Sequence, residues 1–210
     1  MSKTLAIIGS GHLGQQIAHY AITDGHYTNV VFFDDFSTDN QINGYQILGN
    51  SNAVEKQFQN QSFDELLIGI GYKHLLVRKQ LFDRFSKIIP FGKIIHSSCW
   101  VDPTAIVQDG CVVYPSCSID AHTVIGKNTI LNIGCTIAHD TKVGQHCFLS
   151  PRVALAGFIN IEEQCIIGIN STIIDNISIV SNTQIGGGTV VIENITQNGL
   201  YVGNPQRFIR

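Results

Sequence analysis

The sequence predicts two joined units: a small α/β, Rossmann-like domain over residues 1–94, and a triangular parallel β-helix over residues 95–210 that ends in a C-terminal tail. Three observations carry that division. From Ile95 to Thr196 an aliphatic residue returns at every sixth position, the period of a β-helical solenoid. Before Ile95, short apolar runs alternate with stretches of helical spacing, the pattern of a small parallel sheet. Between the first such run and the first helical stretch, Gly9-Ser10-Gly11-His12-Leu13-Gly14 fits G-x-G-x-x-G.

The N-terminal elements follow in order. Residues 3–9 read as a buried strand, 11–24 as a helix and 30–34 as a second strand. Residues 37–62, rich in Asn, Gln and Ser, read as loop with a short helix at 53–58. A third strand is expected at 65–70 and a helix at 73–86, with Leu75, Leu76, Lys79 and Phe82 at helical spacing. Residues 88–95 read as a last strand leading into the repeat.

The glycine loop stands in the context of a nucleotide site. Glycines allow the tight turn, a helix N-terminus attracts phosphate, and Asp34 and Asp35 end the next strand, where a carboxylate meets a ribose hydroxyl. A dinucleotide-binding protein and a merely structural turn are the alternatives. About 94 residues supply only half of a doubly wound dinucleotide fold. A half-site suits a nucleoside diphosphate with a single ribose.

In the repeat, the first residue of all 17 hexads is aliphatic, from Ile95 and Val101 to Ile185 and Val191. The fifth is small or β-branched throughout. A short strand turns one side chain inward and stacks on its equivalents, so each coil buries what a single one could not. Three hexads per coil make nearly six coils. All six cysteines (Cys99, Cys111, Cys117, Cys135, Cys147, Cys165) fall on the small fifth position, as compact hydrophobes. None has Cys-x-x-Cys spacing and no secretory signal is visible, so a reduced, cytoplasmic protein is expected.

With 44% hydrophobic and 14% charged residues and a net charge of −3, the chain can bury a sizeable core and carries no basic field for nucleic acid. Runs such as Ala6-Ile7-Ile8 and Leu66-Leu67-Ile68 are too short to span a bilayer, so no membrane insertion is expected.

Taken together, the Gly loop, Phe33-Asp34-Asp35-Phe36, Ile68-Gly69-Ile70-Gly71, His96 with Pro103, Ala138-His139-Asp140, Gly186-Gly187-Gly188 and Val202-Gly203-Asn204-Pro205 give a resemblance over nearly the whole chain. The sequence resembles the sialic acid O-acetyltransferase family of sugar acetyltransferases, within the left-handed β-helix hexapeptide acyltransferases. It is most similar to bacterial enzymes that N-acetylate nucleotide-linked 4-amino-4,6-dideoxy sugars. The resemblance implies acetyl transfer from acetyl-CoA to the 4-amino group of a UDP- or dTDP-linked sugar, for surface glycan synthesis, in a homotrimer with active sites between subunits. It implies no metal.

By the same resemblance His139 is the general base and Asp140 the acid that orients it. Such a pair suits an amine that must lose a proton before it attacks a thioester. Substrate contacts are implied at Gly11, His12, Leu13, Asp34, Asp35 and Gly71, with Asn132 near the reacting sugar. Acetyl-CoA contacts are implied at Phe148, Ile169 and Gly187. The chain departs from its relatives in three places. Leu13 stands where a His is frequent, so the imidazole comes one position earlier at His12. Phe148 stands where some relatives carry a second His, a role His146 could take. Asp140 is shorter than the usual Glu.

Other readings stay open. A sialic-acid-type sugar O-acetyltransferase would use the same base. An NAD-binding protein, or a scaffold trimer, would use the β-helix only for assembly. His122, Asp140 and His146 could mimic a β-helical zinc site, but the His139 and His146 spacing does not match that pattern.

Overall fold

The computed structural model describes residues 3–210, which divide into two compact units at Ile94/Ile95, 3–94 and 95–210. In the N-terminal unit, β1 (Thr4–Ile8) lies between β2 (Asn29–Phe33) and β5 (Glu65–Ile68), parallel to both. Ile8 pairs with Phe33 on one side and with Ile68 on the other, so the three strands end level. Their following loops open on one edge, where α/β sheets bind ligands. Leu5 to Ile8 and Val30 to Phe33 are buried, which explains their unbroken apolar runs.

Helix α1 (His12–Thr23) presents Ile17, Ala18 and Ala21 inward. It sits close to the sheet because Gly14 has no side chain: a Cβ there would lie 1.9 Å from the Gly9 carbonyl oxygen. The unit is completed by an antiparallel hairpin of β3 (Gln41–Ile42) and β4 (Tyr45–Gln46), by α2 (Val54–Gln59) and by α3 (Leu75–Phe85).

Two expectations are corrected. The hairpin interrupts the expected loop; its turn is Asn43-Gly44 with φ of 48° and 83°, a hairpin signal in the residues themselves. The expected strand at 88–95 is not continuous. Pro90 cannot donate to a ladder, and Phe91 forms a single bridge with Leu66 while only Ile94–Ile95 is strand.

The C-terminal unit is a parallel β-solenoid of about six turns, the left-handed β-helix of the hexapeptide repeat, with strands stacked on three faces. The first face runs from Trp100–Val101 to Val190–Val191, the second from Ile106–Val107 to Ser178–Ile179, and the third takes in Ile130–Leu131, Phe148–Leu149 and Ile166–Ile167. Partners are 18 residues apart, as in Ile119 with Ile137 and Ile137 with Leu155. First-position residues from Val107 to Val191 form one buried column system. Each contributes about 1.5–3 kcal/mol by leaving water.

The fifth position does more than fill a corner. Its hydroxyl or thiol donates to a carbonyl 15 residues ahead: Thr123 to Ala138 (3.1 Å), Thr129 to Gly144 (2.9 Å), Cys111 to Gly126 (3.0 Å), Cys147 to Glu162 (3.2 Å) and Ser171 to Gly186 (2.9 Å). Small size and a donor together explain why Cys, Thr and Ser recur there. None of the six cysteines is in a disulfide, and hydrogen bonding with Cys135, with burial adding to it, pushes the Cys117 thiol up to about 12. A thiol held in that state is a poor nucleophile.

The fourth position turns the corner. From Gly110 to Gly188 every sixth residue has φ between 55° and 78°. After the last coil, Leu200–Val202 joins the third face and pairs antiparallel with Arg207–Phe208. Among the described residues no helix is long and apolar enough to cross a membrane.

Candidate functional site

The loops after β1, β2 and β5 enclose a cleft of about 510 Å³ in the N-terminal unit. Gly11, His12, Leu13, Asp34, Asp35 and Gly71 all line it, so six of the residues expected to contact substrate lie together. Gly11, which lines it, precedes α1 with extended backbone, and the helix start receives no side-chain cap. The first-turn N–H groups of such a helix attract an anion.

The two aspartates differ in what they hold. Asp34 accepts from Ser10 N (2.7 Å), Ser10 Oγ (2.6 Å), Phe36 N (2.9 Å) and Ser37 N (3.0 Å). Burial pushes its carboxyl up, yet the bonds from Ser10, Phe36 and Ser37 outweigh burial and hold it below the usual carboxylate range. Asp34 thus ties the glycine loop to the loop after β2, and its oxygens are committed to the protein's own backbone. Asp35 accepts from Ser51 N (2.7 Å) and Ser51 Oγ (3.1 Å) and is exposed at the cleft.

Phe36, held by the backbone bonds on either side of it, is 95% exposed at the rim. The opposite wall includes Ile70, His74 and Val77. Under the floor Arg78 is buried and donates from Nη1 to the carbonyls of Ile68 (2.7 Å) and Ile70 (3.0 Å), fixing the segment Gly69-Ile70-Gly71. Phe36, His74, Val77 and Arg78 were not expected from the sequence. For Phe36 the signal was an aromatic residue directly after the paired aspartates.

The second constellation lies at the corner between the first and second faces of the β-helix. His139 and Asp140 are the third and fourth residues of their hexad, and Nδ1 of His139 lies 2.9 Å from Asp140 Oδ2. The side chains are 48% and 38% exposed. With Nδ1–H donated to the carboxylate, Nε2 keeps its lone pair and can take a proton.

One coil further along the same corner, Gly157 leaves room for the imidazole: a Cβ there would stand 2.9 Å from His139 Cε1 and 3.1 Å from Nε2. Gly157 N donates to Asp175 Oδ1 (3.0 Å). The Phe158 ring stands perpendicular to the imidazole, with centroids 5.2 Å apart. Sequence reasoning missed Gly157 and Phe158, although both lie 18 residues after the pair they support.

The remaining expected residues lie elsewhere on the β-helix. Asn132 is at the corner between the third and first faces, the next corner of the same coil, and its Oδ1 accepts from Ile133 N (2.8 Å). One chain therefore does not bring Asn132 and His139 together. Ile169 and Gly187 share that other corner one coil apart, and a Cβ on Gly187 would meet Ile169 Cγ2 at 3.0 Å. Ile169 is half exposed, whereas Phe148 is buried. His146 is only 1% exposed and its Nδ1 lies 3.0 Å from Asn128 Nδ2, a packing role in place of the acetyl contact considered for it. His122 shares the corner of Asp140 while His146 belongs to another, so the three do not converge.

Comparisons with known proteins bear on both units. The family model for the PglD N-terminal domain matches residues 4–85, and the model for the bacterial transferase hexapeptide repeat matches residues 122–157. No curated protein sequence matches. Among solved structures, the acetyltransferase domain of PglB from Neisseria gonorrhoeae is 26% identical, with a TM-score of 0.92 over 99% of this chain and 100% of that one. The same domain in complex with acetyl coenzyme A gives a TM-score of 0.91, with full coverage of both chains. A single-residue variant of GDP-perosamine N-acetyltransferase from Caulobacter crescentus, in complex with CoA and GDP-perosamine, shares the fold at 24% identity. Its TM-score is 0.90 over 99% of this chain and 97% of that one.

Proposed function

From the premise that this chain is an acyltransferase built on hexapeptide repeats behind a PglD-type N-terminal domain, we propose that it N-acetylates a nucleotide-linked sugar. The donor is acetyl-CoA, and the acceptor is the 4-amino group of a UDP- or dTDP-linked 4-amino-4,6-dideoxy sugar. The enzyme acts as a cytoplasmic homotrimer. The observation that carries this reading is the His139–Asp140 pair at 2.9 Å on an exposed corner of the β-helix. The cleft with an uncapped helix start supports the nucleotide half of the substrate.

Each group has a task. The first-turn N–H groups of α1, with Gly11, His12 and Leu13, hold the diphosphate. Asp35 meets the ribose, and the base lies on the Phe36 ring. At the other end of the substrate the amine nitrogen attacks the thioester carbonyl carbon, forming a C–N bond. Nε2 of His139 takes the proton from that nitrogen while Asp140 keeps Nδ1 protonated. The tetrahedral intermediate then breaks its C–S bond, and the CoA thiolate leaves and takes up the proton. Ile169 and Gly187 belong to the acetyl-CoA contact, and Asn132 to the reacting sugar of a neighbouring subunit.

The half-size sheet weighs against a dinucleotide: β2, β1 and β5 make one mononucleotide half. The test is thiol release from acetyl-CoA with a panel of UDP-, dTDP- and GDP-linked 4-amino sugars, together with sialic acid and NADH-binding controls. Release with one 4-amino sugar, and amide formation by mass, is the expected result. Release with sialic acid alone would make the protein an O-acetyltransferase. Binding of NADH without any acetyl transfer would remove the proposal.

A further inference from the structure

The corners of the β-helix hold fourteen left-handed residues from Gly110 to Gly188, and Phe158 is the one that carries a phenyl ring. L-residues adopt positive φ at a cost, least for Gly, Asn and Asp. Eight corners respect this, among them Gly134, Asn170 and Asn182, whereas Ser116, His122, His146, Arg152, Phe158 and Gln164 do not. Phe158 has φ of 57° at the same position. A bulky aromatic residue in this region is a genuine outlier, and such strain persists where the surrounding structure uses it. Burial does not explain it, because the side chain is 55% exposed.

What the residue does touch is His139. Its ring stands at 87° to the imidazole at 5.2 Å, a geometry favoured between aromatic rings. Its backbone N–H donates to the His139 carbonyl at 3.2 Å. Asp140 is the left-handed residue of the preceding coil at this corner and bonds Nδ1. The imidazole therefore meets a carboxylate from its own coil and a perpendicular ring from the next.

We propose that Phe158 is a positioning residue for the acetyl transfer: it holds the His139 ring in the rotamer that aims Nε2 at the acceptor, at the expense of a strained corner. The proposal rests on His139 being the base and adds the group that fixes its direction. A loosely held base loses rate without losing substrate affinity, because orientation acts on the reacting geometry.

Three variants test it. Phe158→Asn places a residue suited to the corner and removes the ring; Phe158→Leu removes the ring alone; Phe158→Tyr keeps the ring. In Phe158→Asn and Phe158→Leu, kcat is expected to fall about tenfold or more, with KM for both substrates within about twofold. Phe158→Tyr is expected to retain most of the wild-type kcat. Relief of strain is expected to leave the Tm of Phe158→Asn at or above that of the wild type.

An independent readout is the rate of diethyl pyrocarbonate modification at His139, followed by peptide mass against His19 in the same sample. It is expected to change in the Asn and Leu variants and not in the Tyr variant, whether or not the acceptor sugar has been identified. Unchanged kcat in Phe158→Asn, or a KM rise that accounts for the whole loss, would overturn the proposal. If the wild type transfers no acetyl group, the function fails while the modification rates still decide whether Phe158 restrains the imidazole.

Discussion

The two units build their sites in opposite ways. In the N-terminal unit the cleft is made where three strands end level and their loops converge, so residues distant in sequence, such as His12, Asp35 and Val77, meet in one place. In the β-helix nothing converges from afar. Residues come together because they are 18 positions apart, and the site is a local exception in a regular lattice: an imidazole, a missing side chain at Gly157 and an aromatic ring at a left-handed corner. A loop-built site can be lost by moving one loop. A lattice-built site should tolerate the loss of a side chain with the lattice intact.

That contrast can be broken or sharpened by experiment. The largest effect is expected from His139→Ala, which should lower kcat at least about 100-fold and leave thermal unfolding unchanged, because the side chain is half exposed. A fall in stability of the same variant would mean that the corner is not independent of the lattice.

Gly14→Ala should come next and act on the other unit. Its Cβ would lie 1.9 Å from the Gly9 carbonyl oxygen, so the glycine loop must shift. Overpacking of this kind costs about 1–3 kcal/mol, or roughly 30-fold in nucleotide-sugar KM at the midpoint. The KM for acetyl-CoA should stay within about twofold. Steady-state kinetics with each substrate varied in turn checks both.

Phe36→Ala should raise the nucleotide-sugar KM roughly tenfold, the scale of one base–aromatic contact. Isothermal titration should show no loss for inorganic pyrophosphate, which has no base to stack.

The smallest effect is a pH dependence. The Asp34 carboxyl is held below its usual range, so its contribution is fully present above the unfolded value near about 3.9 and fades as pH falls through the lower folded value. Affinity for the nucleotide sugar should weaken as pH falls through that lowered folded value, below the ordinary carboxylate range, as the Ser10, Phe36 and Ser37 bonds are weakened. Asp34→Asn should remove that dependence, as titration across pH would record.

The same contrast governs what could be read beforehand. The β-helix was legible in detail, because a strict six-residue period leaves no freedom in which side chains point inward, and the cysteines followed from it. The alternation of the N-terminal unit gave its three paired strands and principal helices. It did not give the Asn43-Gly44 hairpin, whose strands are only two residues long, or the break at Pro90.

Site residues show the same division. The glycine loop could be placed because its turn demands glycines. The distinct roles of Asp34 and Asp35 depend on which backbone amides the folded loops present, and no spacing in the sequence carries that. His146 illustrates the reverse error. It was weighed as a ligand contact on sequence position, yet the folded corner buries it beside Asn128. Gly157 and Phe158 were readable in principle, since a coil is 18 residues, once His139 was taken as the reference and its neighbours in the lattice were asked for.

The division of labour itself is tested most directly by calorimetric titration of His139→Ala with the nucleotide sugar that the wild type acetylates. The expected result is a Kd within about threefold of wild type beside a kcat lowered at least about 100-fold: the N-terminal cleft binds and the β-helix corner reacts. A Kd that rises in step with the loss of kcat would contradict this, and would make His139 a binding residue in place of the base.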